Sequence, residues 1–408
     1  MSNTYEYNLA QQFYALSAAS NGVGLCKGPA DQLRDKLALA LKQTLPNMSG
    51  GWTVSWGPYV HKPRIAKYPQ NVWYAAVSES QKYVVVSVAG TAPDSLPAWF
   101  NNLDVARVVD FAAWTDAWRQ SGKVTDPLIV DPTSIDPNSA YISNGTADGV
   151  RNVLSKQSAL PSDNNKRVWE YLAGVDPSYT ILFAGHSMGG AIAPTMAMCL
   201  KQSGLIGSRG MYAMPSAGAS PGNAVFNDKY YNQSFKQAPI PGVIADYAVF
   251  NTDLFNSNDI VPQAWCLDVN QDRYLVRING EIYTSSILSK AVKVFVDGLV
   301  AEAVRTSKKS KIGYEGIPGI GFVGGDLPKK IVLPGQLERS LMEQHTAFYW
   351  AHIGVAKFVQ DILKATGCQK MMEEIAGERA AKDMELQPTA TDMKGTAPSV
   401  TEVELVDV

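Results

Sequence analysis

Gly185-His186-Ser187-Met188-Gly189 is a G-x-S-x-G pentad, and its central Ser187 is the residue of this chain best suited to nucleophilic chemistry. An unactivated serine hydroxyl attacks a carbonyl poorly. It needs a sharp turn that exposes it, an imidazole to take its proton, and N–H donors for the oxyanion that forms. Glycines two before and two after Ser187 suit such a turn, because a strand and a helix must approach closely there. The flanks fit, since residues 178–184 read as a buried strand and residues 189–200 as a helix. Pro194 falls within about two turns of the expected helix start, so a mild kink is expected. A second pentad, Gly218-Ala219-Ser220-Pro221-Gly222, shows how weak the motif is alone. Its serine is followed by proline, which has no N–H to offer an oxyanion, so Ser220 is rejected. Met188 keeps its N–H and is the first candidate donor.

The base is sought among four histidines, His61, His186, His345 and His352. His186 adjoins the serine in the turn and is expected to point elsewhere. The pentad in this setting resembles the nucleophile elbow of the α/β-hydrolases, whose chain order is serine, acid, histidine, and that order excludes His61. His345 and His352 remain, and they share a helical face if the segment is helical throughout. His345 is favoured because it lies nearer the expected loop-to-helix junction. The orienting acid must reach the imidazole from the carboxyl end of a strand. Residues 251–262 supply Asp259, which is favoured, and Asp253 in reserve. A second oxyanion donor is expected after an early strand, and Thr91 in Val88-Ala89-Gly90-Thr91 is best placed.

These side chains require a scaffold that aims them at one point. Residues 5–45 read as helical, with Leu33, Leu37, Leu41 and Leu45 in phase and a break at Pro46, and are expected to cover one face of a sheet. Two β-branched runs fill residues 74–89, the second apolar enough for a buried central strand ending at Gly90. A loop-rich insertion is expected over residues 92–161. Further strands are expected at 210–214, stopping at Pro215, and at 246–251. Strands alternating with helices predict a mostly parallel sheet with helices on both faces, and function at the carboxyl ends of its strands. Residues 282–304 carry a helical apolar stripe before Lys308-Lys309-Ser310-Lys311, which suits a core-packed helix with a solvated end or a membrane-surface helix. Residues 319–324 match G-x-G-x-x-G, but neither a clear strand before nor a helix after supports a dinucleotide site, so a flexible glycine loop is expected.

With 408 residues, 46% hydrophobic and 18% charged, the chain can bury a large core. A single catalytic domain is expected over residues 1–386, with an acidic disordered tail at 387–408. A net charge of -2 without a basic stripe argues against nucleic-acid partners. The N-terminus has neither the basic nor the apolar region of a secretory signal, which makes cytoplasmic placement the default and signal-independent export the alternative. No apolar run reaches the roughly 18 residues of a membrane span. Cys26, Cys199, Cys266 and Cys368 form no C-x-x-C pair, so buried reduced thiols are expected rather than a zinc or redox site. No cofactor or metal is expected.

Taken together, the residues resemble the class 3 lipases, the family of the fungal triacylglycerol lipases. The matching features are Val88-Ala89-Gly90-Thr91 with Trp99 after it, Gly185-His186-Ser187-Met188-Gly189-Gly190, Pro215 with Gly218 ahead of Phe226, Asn258-Asp259-Ile260-Val261-Pro262, and His345 followed by Tyr349. They run in family order over residues 73–358. The resemblance implies an α/β-hydrolase fold, a mostly parallel central sheet flanked by helices. It also implies a triad of Ser187, Asp259 and His345, with Thr91 and Met188 as oxyanion donors. Residues 92–100, with Leu96, Trp99 and Phe100, look like the family's lid. The chain departs from the pattern at Ala89, where the family commonly has arginine, and in its long connection from Asp259 to His345. The expected activity is carboxylic ester hydrolysis through an acyl-enzyme, acting on lipid acyl esters at a transient lipid interface. Its rivals are a short-chain or aryl (feruloyl-type) esterase, a phospholipase, and a lipid-binding protein on a silent scaffold.

Overall fold

In the computed structural model, residues 5–90 and 104–368 are described. Thr91, Leu96, Trp99, Phe100 and the tail at 387–408 lie outside these residues. The architecture is built around a seven-stranded sheet of β1 (Thr53–His61), β2 (Asn71–Ser78), β3 (Tyr83–Val88), β4 (Thr180–His186), β5 (Met211–Ser216), β6 (Asp253–Asn256) and β7 (Gly319–Phe322), ordered as numbered. β1 to β3 are antiparallel neighbours, and every pairing from β3 to β7 is parallel.

Alternating side chains bury both faces, as a parallel sheet requires. Tyr74, Ala76, Val85, Leu182 and Ala184 face one core cluster, filled by α1 (Leu9–Ser20), α2 (Ala30–Thr44) and residues of the C-terminal helices. Trp73, Ala75, Val84, Val86, Ile181 and Phe183 face the other. There they meet α3 (Phe111–Ser121), α4 (Asn144–Ser155) and α5 (Met188–Ser203). A third apolar cluster surrounds α6 (Lys290–Lys309), which buries Val292, Val296 and Val300. The core-packed reading of that segment therefore holds, although the helix starts at Lys290, after a π turn at Ile278–Ile282. Among the described residues no helix is long and apolar enough to cross a membrane.

Several local expectations need correction. Loop fills most of residues 122–140, as expected, but the segment also holds α3 and α4, which follow directly on short strands, each capped by the side chain just before it, Asp110 to the Ala113 N–H and Ser143 to the Thr146 N–H. β5 runs through Pro215 to Ser216. The Pro215 nitrogen faces the β6 side, where pairing begins only at Ser216, so no ladder bond is lost. The strand expected at 246–251 shrinks to Val249–Phe250, paired with Ala238–Pro239 away from the main sheet. Asn251, at φ 63°, ends it, and the sheet strand is Asp253–Asn256 instead. The glycine-rich residues 319–322 form edge strand β7 rather than a flexible loop. Small residues are needed there because the Phe255 ring and the Arg273 guanidinium lie over them. Finally, Cys26 and Cys368 form a disulfide (Cα–Cα 5.6 Å), contrary to the reduced thiols expected, while Cys199 and Cys266 are free and buried. Widely spaced cysteines gave no hint that the two chain ends meet.

Candidate active site

Ser187 stands between the last residue of β4 and the first of α5, at φ 62° and ψ −126°. This strained left-handed backbone turns the chain sharply, and the Ser187 N–H is held by Ser216 O (3.0 Å) on β5. The glycines that flank it are required by contact. A Cβ on Gly185 would lie 2.1 Å from Gly189 O, and one on Gly189 would lie 2.2 Å from Val88 O. Met188 opens α5, so its peptide sits at the positive end of that helix. Pro194 is the seventh residue of α5, within about two turns of its start as expected. The i→i−4 bond it removes would have ended on Gly190 O, which faces Gly218 instead. Ser220 lies on no such turn: it is buried between β5 and the short strand Gly222–Asn223, and its hydroxyl has no hydrogen-bond partner.

His345 and Asp259 meet behind the elbow. His345 Nδ1 lies 2.7 Å from Asp259 Oδ2, with both groups almost wholly buried. Tyr349 Oη donates to the same oxygen (2.9 Å), and the Val261 N–H donates to Asp259 Oδ1 (3.0 Å). Asp259 follows β6 in a tight turn whose N–H returns to Asn256 O (3.0 Å). His345 does not lie at a loop-to-helix junction. It sits in a π turn, Glu343–Ala347, between α7 (Pro334–Met342) and α8 (Phe348–Ile353). Single π turns interrupt α-helices mostly at functional positions, because they re-aim side chains. Here the turn aims His345 and Tyr349 together at Asp259. His352 faces Asp246 (3.2 Å) and stacks on Phe322 (centroids 4.0 Å apart), so the two histidines do not share a face.

His186 couples the two halves. Its Nε2 lies 2.7 Å from His345 O and its Nδ1 2.9 Å from Ser216 Oγ. The carbonyl can only accept, so Nε2 carries the proton and Nδ1 accepts from the serine hydroxyl. Burial, reinforced by the nearby His345, pushes the His186 imidazolium down to about 3, so the ring is neutral at ordinary pH. Through this bond the residue next to Ser187 grips the main chain of His345. Asp253, the reserve acid, is at the other end of β6. It pairs with buried Arg273 (2.8 Å) and accepts the Gly218 N–H (3.1 Å), so it braces the sheet and does not approach the imidazole.

Residues 85–268 match the family model for Lipase (class 3). Over those residues the chain is similar to the class 3 lipases. M37 lipase shares its fold with a TM-score of 0.62 at 23% identity, over 87% of this chain and 97% of that one. The nonglycosylated LIP2 lipase of Yarrowia lipolytica matches at 21% identity over 62% of this chain and 73% of its own, with a TM-score of 0.39. The mono- and diacylglycerol lipase from Aspergillus oryzae matches at 19% over 63% and 74%, with a TM-score of 0.36. The fold comparison rests on M37 lipase. No curated protein matches this chain in sequence. The match over residues 85–268 and the shared α/β-hydrolase fold support a carboxylic ester hydrolase.

Three supports of this candidate site had no distinct sequence signal. Asn256 donates from Nδ2 to Gln344 O (2.9 Å) and Gln344 Oε1 (2.6 Å), and accepts at Oδ1 from the Asn258 and Gly324 N–H groups. Gln344 also donates to Gly325 O (2.9 Å). Tyr349, noted only as following His345, accepts the Asn256 N–H (2.8 Å) while donating to Asp259. Asn256, Gln344 and Tyr349 thus tie the turn that carries Asp259 to the helix that carries His345. Among the described residues no group of three His, Cys, Asp or Glu gathers to hold a metal.

Proposed function

We propose that Ser187 is the nucleophile, His345 the general base and then general acid, and Asp259 the carboxylate that orients it. Serine attack on an ester carbonyl would pass its proton to His345, which returns it to the departing alcohol. Water would then release the acyl group by the same route. The Met188 N–H and that of Thr91 serve as oxyanion donors in this reading. The observation that carries it is the buried 2.7 Å contact of His345 Nδ1 with Asp259, joined through His186 to a serine at φ 62°. A carboxylate on Nδ1 fixes the tautomer that leaves Nε2 as the base.

The substrates proposed are acyl esters of lipids. Apolar Ile260 and Ala219 and half-buried Met188 and Val261 pack in one cluster around the residues next to Ser187 and Asp259, which suits an acyl chain better than a polar acyl group. The test is hydrolysis of p-nitrophenyl esters of increasing chain length, beside triglyceride, phospholipid and feruloyl ester. Ser187→Ala should lose at least about 10³-fold in kcat on every substrate that is turned over. Full turnover by that variant would end the nucleophile assignment. Preference for short aryl esters would end the lipid one.

A further inference from the structure

Gly90 leaves β3 directly opposite the elbow. Ala89 before it still donates within the sheet, to Val72 O (2.8 Å). The Gly90 N–H instead donates to Asn21 Oδ1 (3.0 Å), a side chain from the N-terminal helical layer. Asn21 thus supplies the acceptor where sheet pairing stops. Gly90 also presses on the nucleophile: a Cβ there would stand 2.7 Å from Ser187 Cβ and 3.2 Å from Ser187 Oγ. The acceptor is itself firmly seated. Asn21 caps α1 through its own N–H, which reaches Ala18 O and Ala19 O. Gly22 after it is packed so tightly that a Cβ would meet Ile362 Cγ2 at 2.7 Å, and its carbonyl accepts from Thr366 Oγ1 (2.8 Å). The Cys26–Cys368 bridge closes the same corner.

We propose that Asn21 is a positioning residue for ester hydrolysis. By holding the Gly90 N–H it fixes the backbone at the end of β3 against Ser187, and so keeps Ser187 Cβ and Oγ in place. The proposal rests on Ser187 being the nucleophile. Without the acceptor, the Gly90 peptide must rotate to find another partner, because a buried N–H is costly to leave unpaired. A shift of even about 1 Å beside the reacting atoms is enough to cost roughly 10²-fold in rate.

The experiment compares wild type, Asn21→Ala, Asn21→Asp and Ser187→Ala on a soluble p-nitrophenyl ester, with fluorophosphonate labelling and a thermal melt of each. Asn21→Ala should lose about 10- to 100-fold in kcat, with KM changed less than about threefold. Asn21→Asp offers an oxygen in the same place and should recover most of that loss. Should Asn21→Ala not be obtained folded, Asn21→Ser carries the same expectation, being small and polar but too short to reach Gly90. The proposal is overturned if the shortened variant keeps wild-type kcat, or if Asn21→Asp is as impaired as Asn21→Ala. Either result alongside Ser187-dependent labelling of the wild type removes Asn21 and leaves the nucleophile standing. A wild type that resists labelling removes both.

Discussion

His186 is the residue whose chemistry is most constrained by where it sits. Wedged between Ser216 Oγ and His345 O, it works as a neutral donor–acceptor, and a charged ring would lose its acceptor nitrogen and turn Nδ1 toward a hydroxyl that must then reverse. Its folded value, about 3, lies below the ordinary 6.5, so between those values the unfolded chain binds the extra proton and the folded chain does not. Stability is therefore complete above pH 6.5 and falls as the pH drops toward 3. At pH 5 the loss should be about 2 kcal/mol relative to pH 7, taking 1.36 kcal/mol per pH unit below 6.5. Urea unfolding of wild type and of His186→Gln at both pH values isolates this contribution, since every other titrating group is common to the two. If the difference in stability between them does not change with pH, the neutral, wedged imidazole is wrong. Neither the pentad nor the count of histidines disclosed this role, because it depends on a main-chain carbonyl far along the chain.

The elbow is legible in sequence as an element, because each of its requirements is local. Gly185 and Gly189 must lack a Cβ, a buried strand must precede Ser187, and an N–H must follow it. Gly185→Ala would drive a methyl group onto the Gly189 carbonyl, where neither strand nor helix can yield, and should destabilise the protein by about 3 kcal/mol or more. A denaturant midpoint close to that of wild type would show that the turn relaxes. Elements whose form depends on distant partners were not legible in the same way. Strand β6 was misplaced because Val249 and Phe250 have the stronger β propensity. The sheet selects Asp253–Asn256 instead, since Asn251 in a left-handed conformation restarts the chain and lends its side chain to the Ala213 N–H. The π turn at His345 is likewise a tertiary outcome: nothing in Glu343-Gln344-His345-Thr346-Ala347 breaks an α-helix, and the pull of Asp259 and Asn256 on His345, Gln344 and Tyr349 accompanies the wider turn.

At the scale of the whole molecule, the two ends of the described chain are joined in one layer over the sheet. Tyr5 bonds to Asp361 (2.5 Å) in α9 (Ala356–Thr366), Gln11 to Ile353 O (2.8 Å), Thr366 to Gly22 O, and Cys26 to Cys368. This layer carries Asn21 on one side and leads into the His345 helix on the other, so its integrity bears on both halves of the site. A cross-link spanning 342 residues closes a very long loop, and restricting the unfolded chain in this way is worth about 2–5 kcal/mol. The unfolded protein should therefore titrate two thiols with a chromogenic disulfide reagent, Cys199 and Cys266, and four only after reduction. Both free thiols are buried, and burial raises each well out of the reactive range, so the native protein should titrate far more slowly than the unfolded one. Reduction, or Cys368→Ser, should lower stability by the same 2–5 kcal/mol and shift the melting temperature downward by several degrees. Four thiols in the unreduced, unfolded protein would mean that the ends are held by packing and hydrogen bonds alone. Asn21 would then keep its place through the Thr366–Gly22 bond and the contact of Ile362 with Gly22, and kcat should not respond to reductant.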